Sequence, residues 1–314
     1  MSETCDISFV IPVYNEEHSL PELVKRIDAS VIPSGKTAEI MFVNDGSTDG
    51  SLRVIRELKQ SHTVPLRVIT LRKNFGKSAA LFAGVEKSRG DVIVTIDADL
   101  QNDPADLPKF LAEIENGADM VCGWRVDRQD PLEKTLPSRF FNNVTSRMSG
   151  LDIHDFNCGF KAYRREVLKE VAFYGDMHRF MPFLAHKRGF KVAEVPILHH
   201  PRLHDSSKYR FERYYRGGLD LLTVMFITSY LVRPMHLFGT IGSLLMLMGG
   251  GVFSYLFFGR WIWGQSVGTS PLLSVSFLLI GVGVQVFMTG FLAELMVHWR
   301  KVQQPEFSIK SEED

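Results

Sequence analysis

The chain has 314 residues, with 36 Lys and Arg against 36 Asp and Glu, 45% hydrophobic and 23% charged. Balanced charge leaves no global field for a nucleic acid or an acidic polymer, so neither is expected as a partner. Three cysteines, Cys5, Cys122 and Cys158, are too few and too scattered for a disulfide framework or a zinc site, and read as reduced thiols.

Asp6–Val13 is an apolar, β-branched run ending in Pro12 and predicts a strand, with no secretory signal before it. Glu16–Ala29 repeats apolar residues at helical spacing (Leu20, Leu23, Val24, Ile27). Ile40–Val43, Leu66–Leu71, Val92–Ile96 and Met120–Cys122 predict four more strands, with helices at Asp49–Gln60 and Ser78–Ser88. Asp103 is placed to cap the next helix, with Pro104 at its first position, and Gly117 ends it. Thr135–Ser149 and Phe180–Lys187 read as helices, Phe160–Tyr163 and Val192–Ile197 as strands. This alternation predicts an α/β domain with a mostly parallel sheet covered on both faces, over residues 1–205.

Ligands of such sheets bind beyond the carboxyl ends of the strands. The residues there are Tyr14-Asn15-Glu16, Asn44-Asp45-Gly46-Ser47, Arg72-Lys73-Asn74, Asp97-Ala98-Asp99 and Gly123-Trp124-Arg125. Two carboxylates at one strand end repel each other unless a cation sits between them. With the Gln101 amide nearby, an oxygen-only set suits Mg²⁺ or Mn²⁺, which completes its shell with phosphates and water. No Gly-x-Gly-x-x-Gly, phosphate loop or His-Glu-x-x-His occurs. That leaves a diphosphate gripped through a metal. His199, His200 and His204 read as solvated or interfacial side chains.

Residues 206–233 are basic, aromatic and apolar, and Tyr209–Tyr230 reads as an interfacial amphipathic helix. Two transmembrane helices follow within 234–300. Met235–Phe258 carries no charge, and 272–297 carries Glu294 alone, near its end. A bilayer core takes about 20 apolar helical residues, so each is long enough. Lys208, Arg210, Arg213, Arg216 and Arg233 precede the first, Arg300 and Lys301 follow the second, and the loop between holds Arg260. The positive-inside rule places the 1–205 domain and both termini, including the 301–314 tail, on the cytoplasmic side of the membrane, with a short loop outside. The glycines at 249–251, 281 and 283 favour close helix packing, on each other or on a second copy in a homo-oligomer.

Three stretches resemble a known family: Val10-Ile11-Pro12-Val13-Tyr14-Asn15-Glu16-Glu17, Val43-Asn44-Asp45-Gly46-Ser47-Thr48-Asp49 and Asp97-Ala98-Asp99-Leu100-Gln101. They are similar to the inverting family-two glycosyltransferases with a GT-A fold. Asn74-Phe75-Gly76-Lys77, Asn157-Cys158-Gly159-Phe160-Lys161 and the two C-terminal spans narrow the resemblance to bacterial polyprenyl-phosphate glycosyltransferases. These are relatives of dolichyl-phosphate mannose synthase, and of bactoprenol glucosyltransferases in particular. The resemblance implies that Pro12, Tyr14 and Glu16 line the base and ribose pocket. It places Asp45 and Lys77 at the nucleotide, Asp97 facing the donor, and Asp99 and Gln101 on the metal. Arg125 and Arg139 match positions that receive the acceptor phosphate. Asp155 falls where a carboxylate faces the acceptor, as a base or a positioning group. Asn143 stands where some relatives carry serine. The implied reaction moves a hexose, glucose from UDP-glucose first, from a nucleotide-sugar onto undecaprenyl phosphate. Mannose from GDP-mannose and an aminoarabinose donor are the alternatives. A processive polysaccharide synthase would show Gln-x-x-Arg-Trp and more spans, and a small transporter would need more helices.

Overall fold

A computed structural model describes residues 5–62, 64–126, 146, 150–171, 175–200, 234–263 and 271–303. The chain divides into two compact units, Met1–Leu221 and Leu222–Asp314. The expected helices at 135–149 and 209–230 lie outside the described residues, apart from helical Ser146.

In the first unit, β1 (Cys5–Val13), β2 (Ala38–Asn44), β3 (Leu66–Thr70) and β4 (Gly90–Thr95) are parallel. They alternate with α1 (Leu20–Val31), α2 (Ser51–Ser61) and α3 (Lys77–Lys87). A 3-10 turn at Pro104–Asp106 leads into α4 (Leu107–Glu115), and the Asp103 carboxylate accepts from the Ala105 N–H at 3.0 Å, as its capping position implied. There follow β5 (Met120–Arg125), β6 (Lys161–Arg164), α5 (Arg165–Glu170), α6 (Met181–Lys187) and β7 (Val192–Ile197). The sheet order is β3-β2-β1-β4-β6-β5-β7. β6 runs antiparallel to both β4 and β5, while β5 and β7 are parallel. A return strand in the middle of the sheet is what the alternation of elements did not reveal.

β1 and β2 are buried almost throughout, as strands covered on both faces must be. Pro12 is tolerated in this central strand because pairing with β4 stops at Val10, while pairing with β2 continues to Val13. At the opposite, amino-terminal edge, buried Glu39 accepts from Ser8 Oγ (2.7 Å), the Arg89 N–H (2.7 Å) and Arg67 (3.1 Å). That network holds the turn into β4 and leaves the carboxyl edge for ligands.

In the second unit, α7 (Pro234–Trp263) and α8 (Pro271–Gln303) are long and apolar enough to cross a membrane. Both helices continue past the apolar stretches, because intrahelical hydrogen bonds do not require apolar side chains. They pack closely at glycines: a Cβ on Gly242 would lie 2.7 Å from the Gly283 oxygen, and one on Gly249 2.8 Å from the Ser276 oxygen. Glu294 Oε2 accepts from the Met235 N–H at 3.2 Å, placing an anion at the amino terminus of α7.

Candidate active site

The strand order reverses between β1 and β4, since β2 and β3 lie on one side of β1 and β4 on the other. The crevice at such a switch point is where α/β sheets bind ligands. Tyr14 follows β1 and is 43% exposed there. Asn15 adopts φ 57 and is fastened to the β2 turn: its N–H donates to Ser47 Oγ (3.1 Å), and its side-chain oxygen accepts from the Thr48 N–H (2.8 Å). The Glu16 N–H donates to Ser51 Oγ at 2.9 Å, and its carboxylate accepts from Ser19 Oγ at 3.2 Å.

Asp45 is buried, and both its oxygens are engaged. Oδ1 accepts from the Phe75 N–H at 2.7 Å and Oδ2 from the Gly76 N–H at 2.9 Å. Gly46 has φ 68, and a Cβ on it would lie 2.6 Å from the Lys73 carbonyl carbon, so glycine is required on both counts. Asp45 therefore holds the loop that leads into α3 and delivers Lys77.

Lys77 Nζ lies 2.5 Å from Asp97 Oδ1. Partial burial opposes a charge on Asp97, but Lys77, then Arg125 and Lys161, outweigh it and hold the carboxyl below its ordinary range. Gly159 packs against this carboxylate, and Thr95 Oγ1 donates to the Gly159 oxygen at 2.9 Å. Beyond Asp97, Leu100 takes φ 59 and the Gln101 N–H donates to Asp99 Oδ1 at 3.2 Å, so Asp99 and Gln101 share one tight turn. Among the described residues no three His, Cys, Asp or Glu side chains converge as a metal cage. The carboxylate and amide oxygens of Asp99 and Gln101 fit a hard divalent cation that takes its other ligands from phosphate and water.

Arg125, at the end of β5, grips Asp155 with two bonds, Nε to Oδ2 at 2.7 Å and Nη2 to Oδ1 at 3.1 Å. Asp155 is 1% exposed, and the Asn157 N–H also donates to Oδ1 (3.2 Å). Glu194 Oε1 accepts from the Asp155 N–H, and Oε2 lies 2.8 Å from His154 Nδ1, whose ring stacks on Trp124. A carboxylate so fully engaged is placed to orient Arg125. Arg139 and Asn143 lie outside the described residues.

Cys158 and Phe160 are packing groups, Phe160 stacking on Phe110 at 4.2 Å. Burial pushes the Cys122 thiol up to about 12 and the Cys158 thiol to about 11, so neither is a nucleophile at neutral pH. His199 corrects the reading of a solvated or interfacial side chain, and His204 lies outside the described residues. His199 is buried, because an antiparallel bridge pairs it with Asn102, and the neighbouring His200 N–H donates to the Gln101 oxygen at 2.9 Å. The segment after β7 thus straps the acidic turn. Nothing in the periodicity of 192–200 signalled that contact.

The profile of glycosyl transferase family 2 matches residues 8–172. The chain is 37% identical over 316 aligned positions to dodecaprenyl-phosphate galacturonate synthase of Rhizobium johnstonii, covering 98% of this chain and 93% of that one. It is 34% identical to undecaprenyl-phosphate 4-deoxy-4-formamido-L-arabinose transferase of Pseudomonas aeruginosa, covering 92% and 84%. Among solved structures, glucosyl-3-phosphoglycerate synthase of Mycobacterium tuberculosis aligns in two complexes. With Mn²⁺, UDP and glucosyl-3-phosphoglycerate the TM-score is 0.55 at 18% identity, covering 71% of this chain and 80% of that one. With Mg²⁺ and UDP it is 0.53 at 18%, covering 71% and 79%. At that identity the likeness establishes the fold, a GT-A domain with a mixed, mostly parallel sheet.

Proposed function

Since this chain belongs to glycosyl transferase family 2, we propose that it moves a sugar from a nucleotide diphosphate onto a polyprenyl phosphate, with inversion at the anomeric carbon. The observation that carries the reading is the acidic turn after β4, set at the switch point with Lys77 on Asp97 and Asp99 sharing a turn with Gln101. The names of the relatives at 37% and 34% identity, both acting on polyprenyl phosphates, support the acceptor class. The two apolar helices suit an acceptor confined to a bilayer, and the charge flanking them suits a cytoplasmic catalytic domain.

A lipid phosphate is already an anion near neutral pH and needs little help as a nucleophile. The hard tasks are to bring two anions together and to release a nucleoside diphosphate. Asp99 and Gln101 would hold Mg²⁺ or Mn²⁺, which supplies positive charge to the leaving diphosphate. Arg125, oriented by its two bonds to Asp155, brings positive charge toward the incoming phosphate, and Arg139 is assigned the same task. Tyr14, Glu16 and Pro12 border the nucleotide pocket, and Asp45 holds the loop carrying Lys77. Attack opposite the departing diphosphate inverts configuration.

The donor is assigned as a UDP-hexose, with glucose first. A second donor is favoured by a specific observation: the relative at 37% identity is named for galacturonate, which is a hexose oxidised at C6. The test gives purified protein undecaprenyl phosphate, Mn²⁺ or Mg²⁺, and labelled UDP-glucose, UDP-galacturonate, GDP-mannose or UDP-4-formamido-arabinose. Label moving into the organic phase identifies the donor. No label from any nucleotide-sugar defeats the reading.

A further inference from the structure

Lys161 lies on β6 in register with Thr95 and Cys122, and only 2% of it is exposed. Burying an ammonium is costly, and a methionine of similar length would fill the same space without that cost. Its Nζ is bonded to backbone carbonyls, Phe156 O at 2.9 Å and His178 O at 3.4 Å. Each carbonyl belongs to a segment that touches the candidate active site.

Phe156 opens the turn that lays Gly159 against the Asp97 carboxylate. The His178 ring is bonded to Ser78 Oγ at 2.5 Å, and Ser78 follows Lys77, the partner of Asp97. The contacts close a ring: Asp97 to Lys77, Ser78 to His178, His178 to Lys161, Lys161 to the 156–159 turn, and that turn back to Asp97. We propose that Lys161 is a positioning residue, the tie that holds the Lys77–Asp97 pair from both sides and so sets the geometry of the donor site. It rests on the reading that a nucleotide-sugar binds at Asp97. Burial pulls the Lys161 pKa down, and its charge still acts on Asp97 after those of Lys77 and Arg125.

The tie is tested with and without substrate. Hydrogen exchange on the full-length protein in detergent compares wild type with Lys161→Met, Lys161→Gln and Ser78→Ala. Removing the tie is expected to speed amide exchange across 76–80 and 156–160 by about tenfold, with the Gln variant between Met and wild type. In sugar transfer, the KM for the donor rises by about tenfold, and that for undecaprenyl phosphate rises less, because the 156–159 turn reaches the acceptor side only through the Asn157–Asp155 bond. The Lys161→Gln and Ser78→Ala effects overlap rather than multiply in the double variant, because both cut one ring. Unchanged exchange at 76–80, equal rises in both KM values, or multiplying effects overturn the proposal. If Lys161→Met does not fold, the Gln and Ala variants carry the same comparisons. A wild-type protein that transfers no sugar defeats the functional reading alone, since exchange rates report the tie without any substrate.

Discussion

Gly159 stands so close to Asp97 that a Cβ on it would lie 2.3 Å from the carboxylate Oδ2. The turn before β6 and the acidic turn after β4 are therefore one packed unit, joined across 62 residues of sequence. Gly159→Ala is expected to push the carboxylate off Lys77. A displacement near 1 Å at a reacting centre costs about 10²-fold, so kcat/KM should fall by that order while the thermal unfolding midpoint changes little. Wild-type kcat/KM in a folded Gly159→Ala protein would show that the position of Asp97 is not critical.

Asp97 also sets a pH dependence. Burial opposes its charge, Lys77 more than offsets this, and the carboxyl is held below its ordinary value of 3.8. A group lowered in this way contributes stability above its unfolded pKa and loses it as pH falls through the folded pKa. Asp97 therefore adds no acidic limb to activity between about pH 5 and pH 8. Lys77→Met removes the nearest cation and leaves only the weaker effects of Arg125 and Lys161 against burial, so an acidic limb should move into the kcat/KM profile from the low-pH side. A profile identical in shape to wild type would count against the pairing.

Asp99→Ala is expected to abolish transfer of label into lipid and the Mn²⁺ dependence of UDP binding, with membrane insertion and thermal unfolding unchanged. Several kcal/mol of leaving-group stabilisation would go with the metal. Full turnover by this variant would sink the assignment of the acidic turn.

Asp155 is 1% exposed and doubly bonded to Arg125, whose side chain is 15% exposed. Asp155→Ala leaves a largely buried guanidinium without its partner, which costs about 3–5 kcal/mol. A clear fall in the unfolding midpoint should accompany the loss of activity, with the limbs of the pH–rate profile in place. A stable Asp155→Ala protein that has lost one limb would assign Asp155 as a base instead.

In the second unit, Gly242 and Gly250 make opposite predictions. A Cβ on Gly242 meets the α8 backbone, whereas one on Gly250 meets nothing within 4 Å. Gly242→Leu should force α7 and α8 apart, costing roughly 1–3 kcal/mol through overpacking, and Gly250→Leu should be tolerated. Thermal unfolding in detergent separates the two. Equal losses would mean that the face at Gly250 is also packed.

Local properties were legible in the residues alone. Apolar periodicity located β1 to β5, α1 to α4 and the two membrane-length helices, and the rule that ligands gather beyond strand ends pointed to Tyr14, Asp45, Asp97, Asp99 and Arg125. The elements are readable in this way because hydrophobic spacing and turn chemistry act over a few neighbouring residues. Only the tertiary structure decided what each polar group is bonded to. Asp45 spends both oxygens on amides 30 and 31 residues away. Asp155 is committed to Arg125 across 30, and Lys161 reaches His178 across 17. β6 reverses between β4 and β5, which sets Gly159 on Asp97 and Lys161 behind it. A hydrogen bond depends on which segments become neighbours in space, and a run of residue types does not carry that information until the sheet order is set.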